Sequence, residues 1–122
     1  MIRVVRLGTP RAKGEGLRLG TVRRPPRGVK KSDYARLDYY DVWLPDLAPS
    51  PKVIALAHKD WKRFTSAYER EMKAPAAQRL LEVLAALSRQ TDFSVGCYCE
   101  DEQRCHRSIL RRLLEQHGAR TS

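Results

Sequence analysis

An apolar segment near the C-terminus, residues 92–99, lies between two stretches that have the residue spacing of amphipathic helices. A short apolar run of this kind is typical of a buried strand. A strand that lies between two apolar helices along the chain is most simply a parallel strand covered by helical layers. This arrangement constrains the fold most, and it predicts an α/β class: a small layered domain with a mainly parallel sheet flanked by helices.

Three further strands are expected upstream. Residues 2–7 alternate β-branched residues with arginine, residues 17–22 form a second short candidate, and residues 39–44 are apolar and aromatic. Turn-forming glycine and proline residues follow or separate these segments. The strands therefore precede most of the predicted helices.

Helix starts are marked by local capping signals. A small polar or acidic residue that precedes a proline or the first apolar position is a typical N-cap. The second helix is predicted from apolar residues spaced along one face, at Trp61, Phe64, Tyr68 and Met72. The predicted starts are, in chain order, Ser50 with Pro51, Asp60, Pro75 and Asp101, with a first helix to residue 57 and a last helix over 102–116.

The length and composition favour one domain, residues 1–122. A chain of 122 residues with 42% hydrophobic residues is long enough for one core and too short for two ordinary domains. No apolar run reaches the roughly 20 residues of a membrane span, and the arginine-interrupted start does not resemble a signal peptide. The odd cysteine count gives no closed disulfide framework, so we expect a cytoplasmic protein with no membrane partner.

The positive charge is concentrated at one end of the chain. Residues 1–31 contain ten lysines or arginines and one acid, whereas residues 32–122 are almost balanced. A basic segment of this kind is expected either for binding nucleic acid or another polyanion, or simply as a solvated surface. No aromatic residues interleave with the basic ones, which counts against a nucleic-acid interface.

The junction between the last strand and the last helix is the predicted functional site. In α/β folds, ligands bind beyond the carboxyl ends of the strands and near helix N-termini. Arg104 and Arg107 are suited to bind a phosphate or carboxylate there. The neighbouring acids, residues 100–102, give an alternative in which the helix start is already satisfied and repels an anion.

Three cysteines and a histidine at this junction allow two kinds of chemistry. Cys97 or Cys105 could act as a nucleophile at a helix N-terminus, with His106 as the base. Alternatively, the thiols are inert core groups and His106 is a core histidine on the apolar helix face. Cys97, Cys99, Cys105 and His106 also match the ligand types of zinc. One residue separates the first two on a predicted strand, which is closer than usual, so we predict no metal site and no cofactor.

The sequence resembles the YeaO-like branch of a bacterial and archaeal family known as a domain of unknown function. The residues that carry the resemblance are Pro26-Arg27-Gly28, Trp43, 47–50, His58, Trp61, Phe64, Tyr68, Glu71, Cys97 and 105–108. The resemblance implies a compact α/β fold and no established activity. It adds Arg27, Trp43, His58 and Tyr68 to the residues worth testing. Cys99 stands where an acid is more usual in the family, and the spacing from His58 to Trp61 is shorter.

Three functions are compatible with the sequence. The leading hypothesis is a protein that binds a phosphorylated or other anionic small molecule through Arg27, Arg104 and Arg107, with His58 and Tyr68 as further ligand contacts. The first alternative is a cysteine-dependent enzyme that uses Cys97 or Cys105 with His106. The second is a nucleic-acid-binding module that uses the basic first quarter of the chain.

Overall fold

The computed structural model describes residues 1–122 and contains one four-stranded sheet in the order β1-β4-β2-β3. All three strand pairings are parallel. The strands are β1 (Ile2–Arg6), β2 (Leu17–Gly20), β3 (Val42–Trp43) and β4 (Phe93–Cys97). Every residue of β4 is buried, as expected for a strand with neighbours on both sides. The predicted α/β class with a parallel sheet is confirmed.

Four α-helices follow the first three strands or flank β4. They are α1 (Pro51–Ile54), α2 (Trp61–Glu71), α3 (Pro75–Leu87) and α4 (His106–Gln116). Ser50 Oγ accepts a hydrogen bond from the Val53 amide, and Asp60 Oδ1 accepts one from the Arg63 amide, so both predicted N-caps are confirmed. None of these helices combines the length and apolar character that a membrane crossing requires.

The start of the last helix was predicted incorrectly. Asp101 does cap a helical turn, because its Oδ1 accepts from the Gln103 amide, but that turn is a short 3₁₀ segment, Glu102–Arg104. The chain then becomes extended at Cys105 (φ −130°, ψ 149°), and α4 begins at His106. Burial of the Cys105 side chain among core residues accounts for the break, since the cysteine is only 2% exposed.

The third strand and the first helix are also shorter than predicted. The third strand covers Val42–Trp43 and not residues 39–44, because Asp38 adopts a left-handed conformation (φ 63°) and the Tyr40 ring packs against the face of Gly20. The first helix ends at Ile54, and turns continue the chain to Asp60.

The core is divided into two clusters. The larger contains fifteen buried residues between the sheet and helices α2, α3 and α4, including Phe64, Tyr68 and Met72 of the predicted apolar face. The smaller lies at the carboxyl ends of the strands and consists of Leu7, Val22, Tyr40, Cys97 and Cys105. Two of the three cysteines are therefore part of the packing at that end of the sheet.

Candidate functional site

A cavity of about 500 Å³ opens at the carboxyl ends of β2 and β4. Val22, which follows β2, lines it together with Cys97 at the end of β4 and with Cys105 and His106 at the start of α4. This is the position at which parallel α/β sheets bind ligands. The predicted strand–helix junction therefore lies in the wall of a cavity.

The start of α4 is attached to the end of β2 by His106. Its Nε2 lies 2.7 Å from the carbonyl oxygen of Thr21, and Nε2–H donates to that oxygen. Burial lowers the pKa of His106 to about 4. The hydrogen bond to Thr21 opposes this shift, and the charge of Arg107 adds to it. The imidazole is therefore neutral near pH 7 and a weak base, which weighs against the predicted role of His106 in proton transfer.

The three cysteines come together in the lining of the cavity. Their sulfur atoms all lie within 4.8 Å of one another. Cys97 and Cys105 are 2% exposed, and the structure joins their sulfurs in a disulfide, a pairing that was not predicted from the sequence. Cys99 is a free, exposed thiol whose pKa is raised by burial of its sulfur, an effect that the charge of Arg107 opposes.

The rim of the cavity is basic. Arg23, Arg24, Arg104 and His58 all line it, and no aspartate or glutamate does. Arg23 is held in place because its guanidinium donates to the carbonyls of Ala48 at 3.0 Å and Pro49 at 3.3 Å.

The other basic groups of the rim are free to reach a ligand. Arg24, Arg104 and His58 are exposed. The Arg104 guanidinium lies 5.9 Å from the centre of the Trp61 ring, a cation–π contact that helps to orient it.

The acids that were expected to oppose an anion are engaged elsewhere. Glu100 lies 3.6 Å from Arg6, and Glu102 forms an ion pair with Arg111 at 2.8 Å. Asp101 caps the 3₁₀ turn. None of these carboxylates lines the cavity, so they do not compete with a ligand for its basic rim.

Five of the predicted site residues line the cavity, and three others do not. Cys97, Cys105, His106, Arg104 and His58 line the cavity.

Arg27, Tyr68 and Arg107 do not line it. Arg27 is exposed in the proline-rich loop. Tyr68 is fully buried, and its hydroxyl donates to the Leu47 carbonyl at 2.6 Å. Arg107 is 4% exposed, donates to the Cys99 carbonyl at 2.8 Å, and leaves its Nε without a partner.

Sequence reasoning missed two arginines of the rim. Arg23 and Arg24 belong to the same loop as Arg27, and they begin three residues after the end of β2, whereas Arg27 lies farther along. The signal that could have found them is their distance from the strand end, because only the first residues after a parallel strand lie at the ligand-binding edge.

Four carboxylates, one within the segment and three from the rest of the chain, neutralise part of the basic first quarter. Arg18 pairs with Glu15, Arg11 with Asp38 and Asp41, and Arg6 with Glu100. These arginines are thereby engaged within the protein. Nucleic-acid binding by this segment remains a prediction.

Comparison with known proteins places the chain in one family. Residues 2–118 match the model of DUF488-N3a, the active DUF488-N3 subclade. No curated protein and no solved structure matches significantly. The match confirms the resemblance to a domain-of-unknown-function family, and the narrower YeaO-like assignment stays a prediction.

Proposed function

The chain belongs to the DUF488-N3a family, and from the geometry of its site we propose that it binds a phosphorylated or other anionic small molecule in the cavity at the carboxyl ends of β2 and β4. The observation that carries the proposal is the charge of the lining. Three arginines and a histidine face the cavity at its rim, and no carboxylate opposes them.

The two exposed arginines approach the cavity from different elements. Arg24 follows β2, and Arg104 precedes α4. Guanidinium groups bind phosphate and carboxylate through paired hydrogen bonds, each of which is stronger than a neutral one. We propose that these two side chains hold the anionic group between them.

The start of α4 supports an anion in the same place. Its N-cap residue, Cys105, provides no side-chain hydrogen bond to the first turn. Amide groups of an uncapped first turn and the helix dipole both favour a negative charge. Cys105 and His106 lie in the cavity wall, so this helix start is next to the proposed ligand.

The apolar residues of the cavity lining indicate the nature of the rest of the ligand. More than half of the lining residues are hydrophobic, among them Val22, Ile54 and Phe64. A volume of about 500 Å³ is in the range that holds a small organic molecule, and it exceeds what a bare phosphate needs. The ligand class is therefore a compound with an apolar or aromatic body and one anionic group.

A displacement experiment tests the proposal directly. The probe is 8-anilinonaphthalene-1-sulfonate, which has an aromatic body and a sulfonate, and the competitors are adenosine monophosphate, adenosine and inorganic phosphate. We expect Arg24→Ala and Arg104→Ala each to weaken probe binding at least about tenfold, since a charge-assisted hydrogen bond contributes about 1.5–3 kcal/mol. Circular dichroism confirms that each variant is folded.

Arg79→Ala is the matched control. Arg79 is exposed on α3 and does not line the cavity, so its loss should leave probe affinity unchanged. Equal effects of all three arginine substitutions, or no effect of any, would overturn the proposal. Displacement by the monophosphate but not by adenosine would support an anionic ligand.

A further inference from the structure

The three cysteine sulfurs form a compact donor cluster that anion binding does not use. Cys97, Cys99 and Cys105 each offer a sulfur, and all three atoms lie within 4.8 Å of one another. Ligands at about 2.3 Å from one tetrahedral zinc ion lie roughly 3.8 Å apart. Once the Cys97–Cys105 disulfide is reduced to two thiols, small side-chain movements would bring three thiolates into one coordination shell.

The close spacing of Cys97 and Cys99, which counted against a metal in the sequence, is not a constraint in the structure. On one continuous strand, a single intervening residue would set the relative positions of the two sulfurs. β4 ends at Cys97, however, and Cys99 lies in the loop that follows. The loop places the Cys99 sulfur within 4.8 Å of the other two.

The backbone spacing of Cys97 and Cys105 also suits a shared ion. Their Cα atoms are 7.7 Å apart. Directly bonded cysteines usually have Cα atoms about 4.4–6.8 Å apart. Two sulfurs on one zinc ion are roughly 1.7 Å farther apart than two bonded sulfurs, which extends that range to include the observed spacing.

A buried cation beside the cluster lacks a negative partner. Arg107 is 4% exposed, forms no ion pair, and leaves its Nε without a hydrogen bond. It donates to the carbonyl of Cys99, so it lies next to the cluster. A buried charge without a partner is costly. Three thiolates with one divalent ion carry a net negative charge, which would stabilise Arg107.

From this geometry we propose that Cys97, Cys99 and Cys105 of the reduced protein bind one thiophilic divalent cation of the zinc class through three thiolates. All three cysteines line the cavity, so a fourth ligand would reach the ion from the cavity. His106 Nδ1 lies 3.7 Å from the Cys105 sulfur but is not part of the mutually close set, so the proposal does not require it as a ligand.

Cobalt(II) is a suitable probe of this site. The Cys97–Cys105 disulfide is first reduced to two thiols with a phosphine, which is oxidised to its phosphine oxide. The full chain is then freed of metal with a chelator and titrated with Co²⁺ while thiolate-to-cobalt charge-transfer and d–d absorption are recorded. We expect one Co²⁺ per chain and complete displacement by Zn²⁺. No saturable thiolate–cobalt absorption in the reduced protein would overturn the proposal.

Cys99→Ser is the decisive variant, because Cys99 is exposed and its replacement should leave the fold intact. We expect its zinc affinity to fall at least about tenfold. Gln103→Ser, an exposed change in the neighbouring 3₁₀ segment, is the matched control and should leave the affinity unchanged. Unchanged zinc affinity in Cys99→Ser would sink the proposal.

Alkylation followed by mass spectrometry gives a readout that does not depend on variants. Zn²⁺ should protect all three thiols of the reduced protein from iodoacetamide, and continued labelling of Cys99 in saturating zinc would contradict the proposal. Metal binding is read from thiol protection and anion binding from probe displacement, so the two can succeed or fail separately.

Discussion

Arg18 donates two hydrogen bonds to the carboxylate of Glu15 in a fully buried ion pair, with Nε 2.7 Å from Oε2 and the second guanidinium nitrogen 2.9 Å from Oε1. Ser94 Oγ of β4 donates to the same carboxylate at 2.7 Å. The remaining guanidinium nitrogen of Arg18 donates to the carbonyls of Thr9 and Asp38. The pair thus joins the loop after β1 to β2 and β4.

Arg18→Met should strongly destabilise the protein. The substitution keeps the length of the side chain but leaves the Glu15 carboxylate buried without its cation, which costs about 3–5 kcal/mol. Urea denaturation followed by circular dichroism measures this loss. The control is Arg36→Met, because Arg36 pairs with Asp33 while 69% of its side chain is exposed, and its loss should change stability by less than about 0.5 kcal/mol. Similar losses in both variants would contradict the prediction.

Stability should fall in acid because of the same carboxylate. Burial would raise the pKa of Glu15, but hydrogen bonds from Arg18, Ser94 and the Ala12 amide outweigh it and lower the pKa from 4.5 to about 2. A carboxyl with a lowered pKa in the folded state stabilises the fold above its unfolded value, and this contribution is lost as pH falls from 4.5 toward about 2. The contribution at neutral pH is about 3 kcal/mol.

Urea denaturation across that pH range tests the assignment. Glu15→Gln should be less stable at neutral pH and should lose much of the decline between pH 4.5 and about 2. Glu69→Gln removes an exposed carboxylate and should keep the decline. A wild-type pH profile in Glu15→Gln would show that another group is responsible.

The sequence predicted the features that depend on neighbouring residues. The N-caps at Ser50 and Asp60 are local, because the capping side chain and the amide that donates a hydrogen bond to it are three residues apart. The α/β fold class and the burial of β4 also followed from the local sequence pattern, since an apolar run between two amphipathic helices is most simply a buried parallel strand.

The features that the sequence did not predict depend on distant contacts. β4 lies between β1 and β2, and it therefore pairs with two strands that are far from it in the sequence. Cys105 interrupts the last helix because of what it packs against, and its own backbone preferences do not reveal this. Glu15 and Arg18, three residues apart, look like an ordinary surface pair until Ser94 and the sheet cover them.

Two glycines in the same loop should differ sharply in their tolerance of alanine. Both Gly14 (φ +75°) and Gly16 (φ +80°) have the left-handed conformation, which costs a residue with a Cβ about 1–2 kcal/mol. A Cβ at Gly16 would also overlap the carbonyl oxygen of Asp92, whereas one at Gly14 meets nothing within 4 Å. Gly16→Ala should therefore lose at least about 2 kcal/mol more than Gly14→Ala. Equal thermal-denaturation midpoints would mean that the Asp92 backbone moves aside freely.

Tyr68→Phe should lower stability and leave ligand binding unchanged. Tyr68 is fully buried, and burial raises the pKa of its hydroxyl, which donates to the Leu47 carbonyl at 2.6 Å. Removing that hydroxyl leaves a buried carbonyl without a donor, at a cost of about 1–3 kcal/mol. The sequence suggested a ligand contact for Tyr68, and the anilinonaphthalene sulfonate affinity of this variant decides between the two roles.

Tyr98→Phe is the matched comparison, because Tyr98 lines the cavity and its hydroxyl donates to the Arg24 carbonyl at 2.8 Å. Loss of that bond frees the loop that carries Arg24, so probe affinity should fall severalfold with a smaller loss of stability. If Tyr68→Phe weakened the probe while the unfolding midpoint stayed constant, Tyr68 would be a ligand contact, and the cavity would have to open toward it when the ligand binds.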